Sequence, residues 1–221
     1  WHPEPLLHLS LFQIRSFSVA NAAAFVFSVS FYGQVLVGIL FLTSVWHFSI
    51  LAAALAITPT PVTAALVGPI AGQLSNRFGF RGIAVAGALT YAAGGLWLLI
   101  GTTAQVSYVA TWLPAALLLG IGIGICFPIL SAASVSAIPP ARFAVGGAVN
   151  QTARQVGAVI GVALGVAVLG STVAPSGISP FHAWFQLSTL IAVAAAFIAI
   201  GLGRPVPRPA ADSLAPEGAR L

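Results

Sequence analysis

The chain has 221 residues, of which 59% are hydrophobic and only 5% charged. An ordinary soluble domain carries about 25% charged residues. Eight basic and three acidic side chains therefore cannot cover a water-soluble fold of this length, which excludes a soluble globular enzyme. The net charge of +5 comes from arginines scattered singly, with no basic stripe and no aromatic–basic alternation, so no nucleic acid is expected as a partner.

Taken in chain order, a lead-in over 1–16 is followed by six apolar segments at about 17–42, 50–72, 82–101, 109–131, 146–170 and 181–203. Each reaches the roughly 20 residues that a helix needs to cross a bilayer core. They are continuously apolar rather than alternating, which argues against a membrane barrel. A helix also satisfies its backbone groups internally, as lipid demands. The expected fold is thus an all-α integral membrane bundle of six transmembrane helices over 17–203, in direct contact with the lipid bilayer. A Pro/Ala-rich tail over 204–221 is expected to be disordered.

The first segment carries Asn21, Ser28 and Tyr32 at offsets of seven and four, with Phe25 beside them, and Gln34 on another face nearer its far end. Such a set suits the lining of a cavity; ordinary hydrogen bonding between helices, worth about 0.6 kcal/mol per contact, would use the same residues. The second segment contains Pro59, Pro61 and Pro69, and the fourth Pro114 and Pro128, where kinks are expected. Gly120, Gly122 and Gly124 lie inside an apolar span with no preceding strand, so they read as a close helix contact and not as a nucleotide loop.

The fifth segment holds the strongest internal feature. Arg154 stands among Asn150, Gln151 and Gln155, toward the first end of its span, and Gly157, Gly161 and Gly165 follow at spacing four. A charge within a span costs at least about 2.5 kcal/mol on insertion scales, which marks Arg154 as a site candidate. Two arrangements fit it: facing the bundle interior to bind an anion or carboxylate, or snorkelling to the near interface. Glu4, Asp212 and Glu217 all lie outside the six segments, so no intramembrane carboxylate is available to carry a proton. His47 and His182 fall at the opposite ends of their spans, where surface positions are expected, with pH sensing as the other reading.

The connections set the orientation. Arg15, Arg77, Arg81, Arg142, Arg204, Arg208 and Arg220 fall on one side, and the alternate connections carry no Lys or Arg. The positive-inside rule then places both ends in the cytoplasm of a cell whose inner or plasma membrane holds the chain. An all-arginine basic set with abundant Gly, Pro and Ala fits a GC-rich, bacterial source.

The stretch Gly72-Gln73-Leu74-Ser75-Asn76-Arg77-Phe78-Gly79-Phe80-Arg81 resembles the signature loop of the major facilitator superfamily, with Asn76 where the motif has aspartate. Gly120-x-Gly122-x-Gly124-x-x-x-Pro128, Pro139-Pro140 and Asn150-x-x-x-Arg154-Gln155-x-Gly157 resemble the late helices of its fourteen-span drug:proton antiporters, and Gln34, Ser49 and Pro59 fit the same pattern. The resemblance covers about residues 5–203 and implies the C-terminal six-helix half of such a carrier. It also implies a missing N-terminal half as partner, a small lipophilic cargo, the proton as coupling ion with no bound cofactor, and a gating role for Gly72, Asn76, Arg77, Gly79 and Arg81. A carrier for a lipid or an anion, or an inactive truncated fragment, are the other readings. The start at Trp1 leads to the expectation that residue 1 lies within a longer protein.

Overall fold

The computed structural model describes residues 9–170 and 177–202. The expected tail over 204–221, most of the lead-in, and Glu4, Asp212, Glu217, Arg204, Arg208 and Arg220 lie outside the described residues. Among the described residues there are helices and no strands. The helices are α1 (Arg15–Ser44), α2 (Ile50–Ile57), α3 (Pro59–Phe78), α4 (Phe80–Gly101), α5 (Leu113–Ser136), α6 (Phe143–Leu169) and α7 (Ser179–Ile200). Short turns, Leu9–Gln13, Tyr108–Trp112 and Pro140–Arg142, precede α1, α5 and α6. Six helical stretches are long and apolar enough to cross a membrane, α2 and α3 together forming the second.

That second stretch is broken because Pro59 has no N–H to donate. The carbonyl of Leu55 instead accepts from Thr58 N–H at 3.2 Å, and α3 restarts with Pro59 in its first turn. Ser49 opens α2 by accepting a hydrogen bond from Ala52 N–H at 3.2 Å, an N-cap that satisfies one of the free donors of the first turn.

The signature stretch is not a loop. Residues 72–78 continue α3, and a single residue, Gly79, separates α3 from α4. Of its glycines only Gly79 makes the turn, at φ +81° and ψ 162°, a backbone region almost confined to glycine. Gly72 is helical with open space around it and takes no part in the turn. Gly79→Ala is expected to lower stability by about 1–3 kcal/mol, whereas Gly72→Ala should be neutral or slightly stabilising. Thermal unfolding in detergent measures both, and equal midpoints for the two variants would contradict the assignment.

Close packing in lipid depends on small residues, because lipid tails give apolar side chains no reason to prefer one another. Along α6, Gly157, Gly161 and Gly165 meet α1 at Phe25, Val29 and Gly33–Val37. A period of four on both helices is the pattern of a right-handed crossing. In α5, Gly120 and Gly124 press on the carbonyls of Thr60 and Ala64 in α3, while Gly122 meets Tyr91 and Gly87 of α4. The close helix contact expected of these glycines is thus two contacts, on opposite faces of α5. Pro69 and Pro128 sit inside α3 and α5; Pro114 stands in the first turn of α5.

Arginines gather at one end of the bundle: Arg15 begins α1, Arg77 ends α3, Arg81 follows the start of α4 and Arg142 precedes α6. The other end is closed by aromatic packing, with the Phe41 ring 5.3 Å from Trp46, 5.9 Å from Trp112 and 5.3 Å from Phe181 between centroids. There Trp46 Nε1 donates to Thr103 O at 3.0 Å. His47 is exposed with φ +53°. His182 is half-buried rather than fully exposed: its Nε2 is 3.0 Å from Thr102 O and 3.1 Å from Thr102 Oγ1, and that hydroxyl spends its own proton on Leu98 O.

Candidate functional site

Near mid-span three helices bring aromatic rings together. Phe27 and Phe31 project from α1 onto Phe127 of α5, each with ring centroids 5.3 Å apart and close to edge-on. Phe27 also meets Tyr91 of α4 at 4.9 Å. These are the separations at which edge-to-face pairs attract beyond simple burial. A small pocket of about 40 Å³ adjoins the group, bounded by Phe31, Tyr91, Gln34, Thr60 and Trp112. That volume admits a water or two and no larger guest.

Arg154 completes the cluster. Its guanidinium carbon lies 3.9 Å from the centroid of the Phe127 ring, a cation–π contact between α6 and α5. Its Nε is buried without a hydrogen-bond partner, and so are Ser28 Oγ and Tyr91 Oη. Ser28 lies against Gly157, one turn along from Arg154. Among the described residues none is acidic, so none offers Arg154 a carboxylate. The cation–π contact returns about 2 kcal/mol when desolvated, less than the cost of the charge at depth together with roughly 1–3 kcal/mol for an unmet donor. The guanidinium is thus undersatisfied among the described residues.

Arg154 also sits deeper than its segment suggests. α6 starts at Phe143, so Arg154 is 11 residues along it with 15 to follow, or roughly 16 Å from the arginine-rich end at 1.5 Å per residue. The stacking on Phe127 shows the side chain turned inward, toward α5, rather than extended back along α6.

The expected polar cluster disperses. Asn150 is buried and donates through Nδ2 to Asn21 Oδ1 at 3.1 Å, while Asn21 Nδ2 donates to Phe17 O at 2.8 Å. Gln151 and Gln155 point to the exposed side of α6. The expected cavity face of α1 is likewise divided. Ser28 is closed off in the α1–α6 contact, and the Phe25 carbonyl packs on Gly157. Asn21 and the Phe25 side chain border a groove of about 590 Å³ between α1 and α6. Tyr32 is half-buried beside Phe31, ring centroids 4.7 Å apart. Gln34 borders the small pocket, and its Oε1 accepts from Trp184 Nε1 and Ser188 Oγ of α7, both at 3.1 Å. Asn76, Arg77 and Arg81 are exposed at the arginine-rich end and touch little of this chain beyond Arg77 on the neighbouring Phe78 ring at 5.6 Å.

Sequence reasoning missed Phe27, Phe31, Tyr91 and Phe127. An aromatic residue in an apolar span offers no contrast, and only the convergence of three helices marks these rings. The adjoining Pro128 drew attention to the right turn of α5 for a different reason.

Residues 20–220 match the sequence profile of the Major Facilitator Superfamily. The chain is 32% identical over 160 residues to the Multidrug resistance protein B homolog of Mycobacterium tuberculosis (strain H37Rv), a stretch covering 72% of this chain and 30% of that protein. It is 26% identical over 168 residues to the Multidrug transporter protein MdtP of Bacillus subtilis, covering 76% and 31%. It is 28% identical over 184 residues to the MFS-type efflux pump MMF1 of Mycosarcoma maydis, covering 81% and 29%. The match thus spans about a third of the length of these relatives.

Proposed function

The chain belongs to the major facilitator superfamily, and from that premise we propose that it forms one six-helix half of a secondary transporter that exports hydrophobic compounds in exchange for protons. Its multi-pass helical character and the multidrug names of its relatives support a membrane transporter rather than an enzyme. The observation that carries the reading is the mid-depth surface of Phe31, Phe127 and Arg154, held by helices that leave much of α3 and α6 uncovered. Carriers of this architecture hold cargo near the midplane between two halves that rock against each other. Here the uncovered faces of α3 and α6 would receive the other half, and the aromatic edges would meet a lipophilic cargo. The single-residue link at Gly79 would keep α3 and α4 moving together on the arginine-rich, cytoplasmic side. The spans described here contain no acid, and on this reading the other half would supply the proton-binding carboxylates.

The decisive test is transport by the complete product of the gene in proteoliposomes. An imposed proton gradient is expected to drive uptake of ethidium, and collapsing the gradient should abolish it. Uptake indifferent to the gradient would rule out proton antiport. The undersatisfied Arg154 favours one other cargo class, compounds bearing a carboxylate; inhibition of uptake by aromatic carboxylates and not by aromatic cations would select it.

A further inference from the structure

The groove of about 590 Å³ between α1 and α6 does not belong to the mid-depth cluster. Its α6 wall, at Val149, Thr152 and Val156, stands away from Arg154: at 100° per residue Val149 and Val156 lie roughly 140–200° round the helix from it. On the reading above, the Arg154 face meets the other half of the carrier, so the groove opens to lipid. Its α1 wall is Ser18, Ala22 and Phe25, and its lining is almost wholly apolar.

The groove begins at the arginine-rich end and runs inward. Seven residues, two helical turns, before Ala22 on the same face of α1 stands Arg15, which is exposed. Two turns before Val149 stands Arg142, half-buried where the turn Pro140–Arg142 enters α6. The Asn21–Asn150 hydrogen bond of 3.1 Å pins the two helices side by side just above both arginines. An apolar channel at membrane depth with two cations at its mouth has the shape and charge of a phospholipid with an anionic headgroup.

We propose that this groove binds an anionic phospholipid, one acyl chain lying along Ala22, Val149 and Val156 and the phosphate held by Arg15 and Arg142. Basic pockets between helices on one side of a membrane recognise lipid headgroups in this way. Occupancy would brace the α1–α6 contact that carries Arg154.

The test is native mass spectrometry of the complete transporter in detergent, titrated with phosphatidylglycerol or phosphatidylcholine. Phosphatidylglycerol is expected to be retained roughly tenfold better than phosphatidylcholine. The pair Arg15→Gln and Arg142→Gln should erase that preference, and Ala22→Trp, which fills the groove, should reduce retention of both lipids. The pair Arg77→Gln and Arg81→Gln, at the same end but away from the groove, should leave the preference intact. Equal retention of the two lipids by the unaltered protein, or the same loss from either arginine pair, would overturn the site. The assay reads lipid mass and not transport, so its outcome is independent of whether proton-driven export is observed.

Discussion

Arg154→Ala is expected to reduce transport by the complete carrier at least tenfold while its amount in the membrane stays the same or rises. Removing the charge relieves an insertion cost of at least about 2.5 kcal/mol, so lost activity could not be ascribed to poor insertion. What disappears is the cation stacked 3.9 Å from the Phe127 ring and its unpartnered Nε donor. Arg154→Lys should recover little, because an ammonium is a compact, strongly hydrated point charge without the planar fork that stacks and bonds at once. Phe127→Leu should lower activity less, and combining it with Arg154→Ala should add almost nothing, since the two side chains act through one contact. Uptake in proteoliposomes, normalised to protein, measures all four variants. Wild-type uptake by Arg154→Ala would remove this residue from the mechanism.

Gly161→Leu is expected to abolish the folded bundle. A Cβ at Gly161 would run into the carbonyl of Val29, which is backbone and cannot rotate away. α1 and α6 would have to separate along their whole crossing, costing at least the 1–3 kcal/mol typical of overpacking. The Asn21–Asn150 bond and the reach of Arg154 to Phe127 depend on that same crossing. Gly161→Ala should show a milder loss of the same kind. Gly82→Leu is the control, since nothing lies within 4 Å of a Cβ there. Fluorescence-detected size-exclusion chromatography should find Gly161→Leu aggregated and Gly82→Leu monodisperse; a monodisperse Gly161→Leu would mean that the helices do not meet at this glycine.

These two residues show how differently the parts of the protein are written into its sequence. Arg154 is visible to anyone scanning for charge in an apolar run, because burying a cation is costly and therefore rare. Its polar neighbours are engaged elsewhere: Asn150 spends its amide on Asn21 of α1, while Gln151 and Gln155 are exposed. The signature stretch was legible as a motif but not as a shape, since helix continues through Arg77 and only Gly79 turns. The face of Asn21, Ser28 and Tyr32 looked like a cavity wall because small polar groups serve helix contacts and cavities equally.

Length, hydropathy and arginine spacing were enough by themselves to determine an all-helical, six-span membrane protein, and the ordered motifs to place it in its family. Those properties depend on summed transfer free energy along each segment and on period, both of which are local. Tertiary structure alone decided which faces meet, where along the bundle Arg154 lies, which rings gather around it, and that an apolar groove opens between α1 and α6. Such features depend on where helices cross, and in lipid the crossing is chosen by the close approach of small residues, whose partners lie from tens to more than a hundred positions away in the chain.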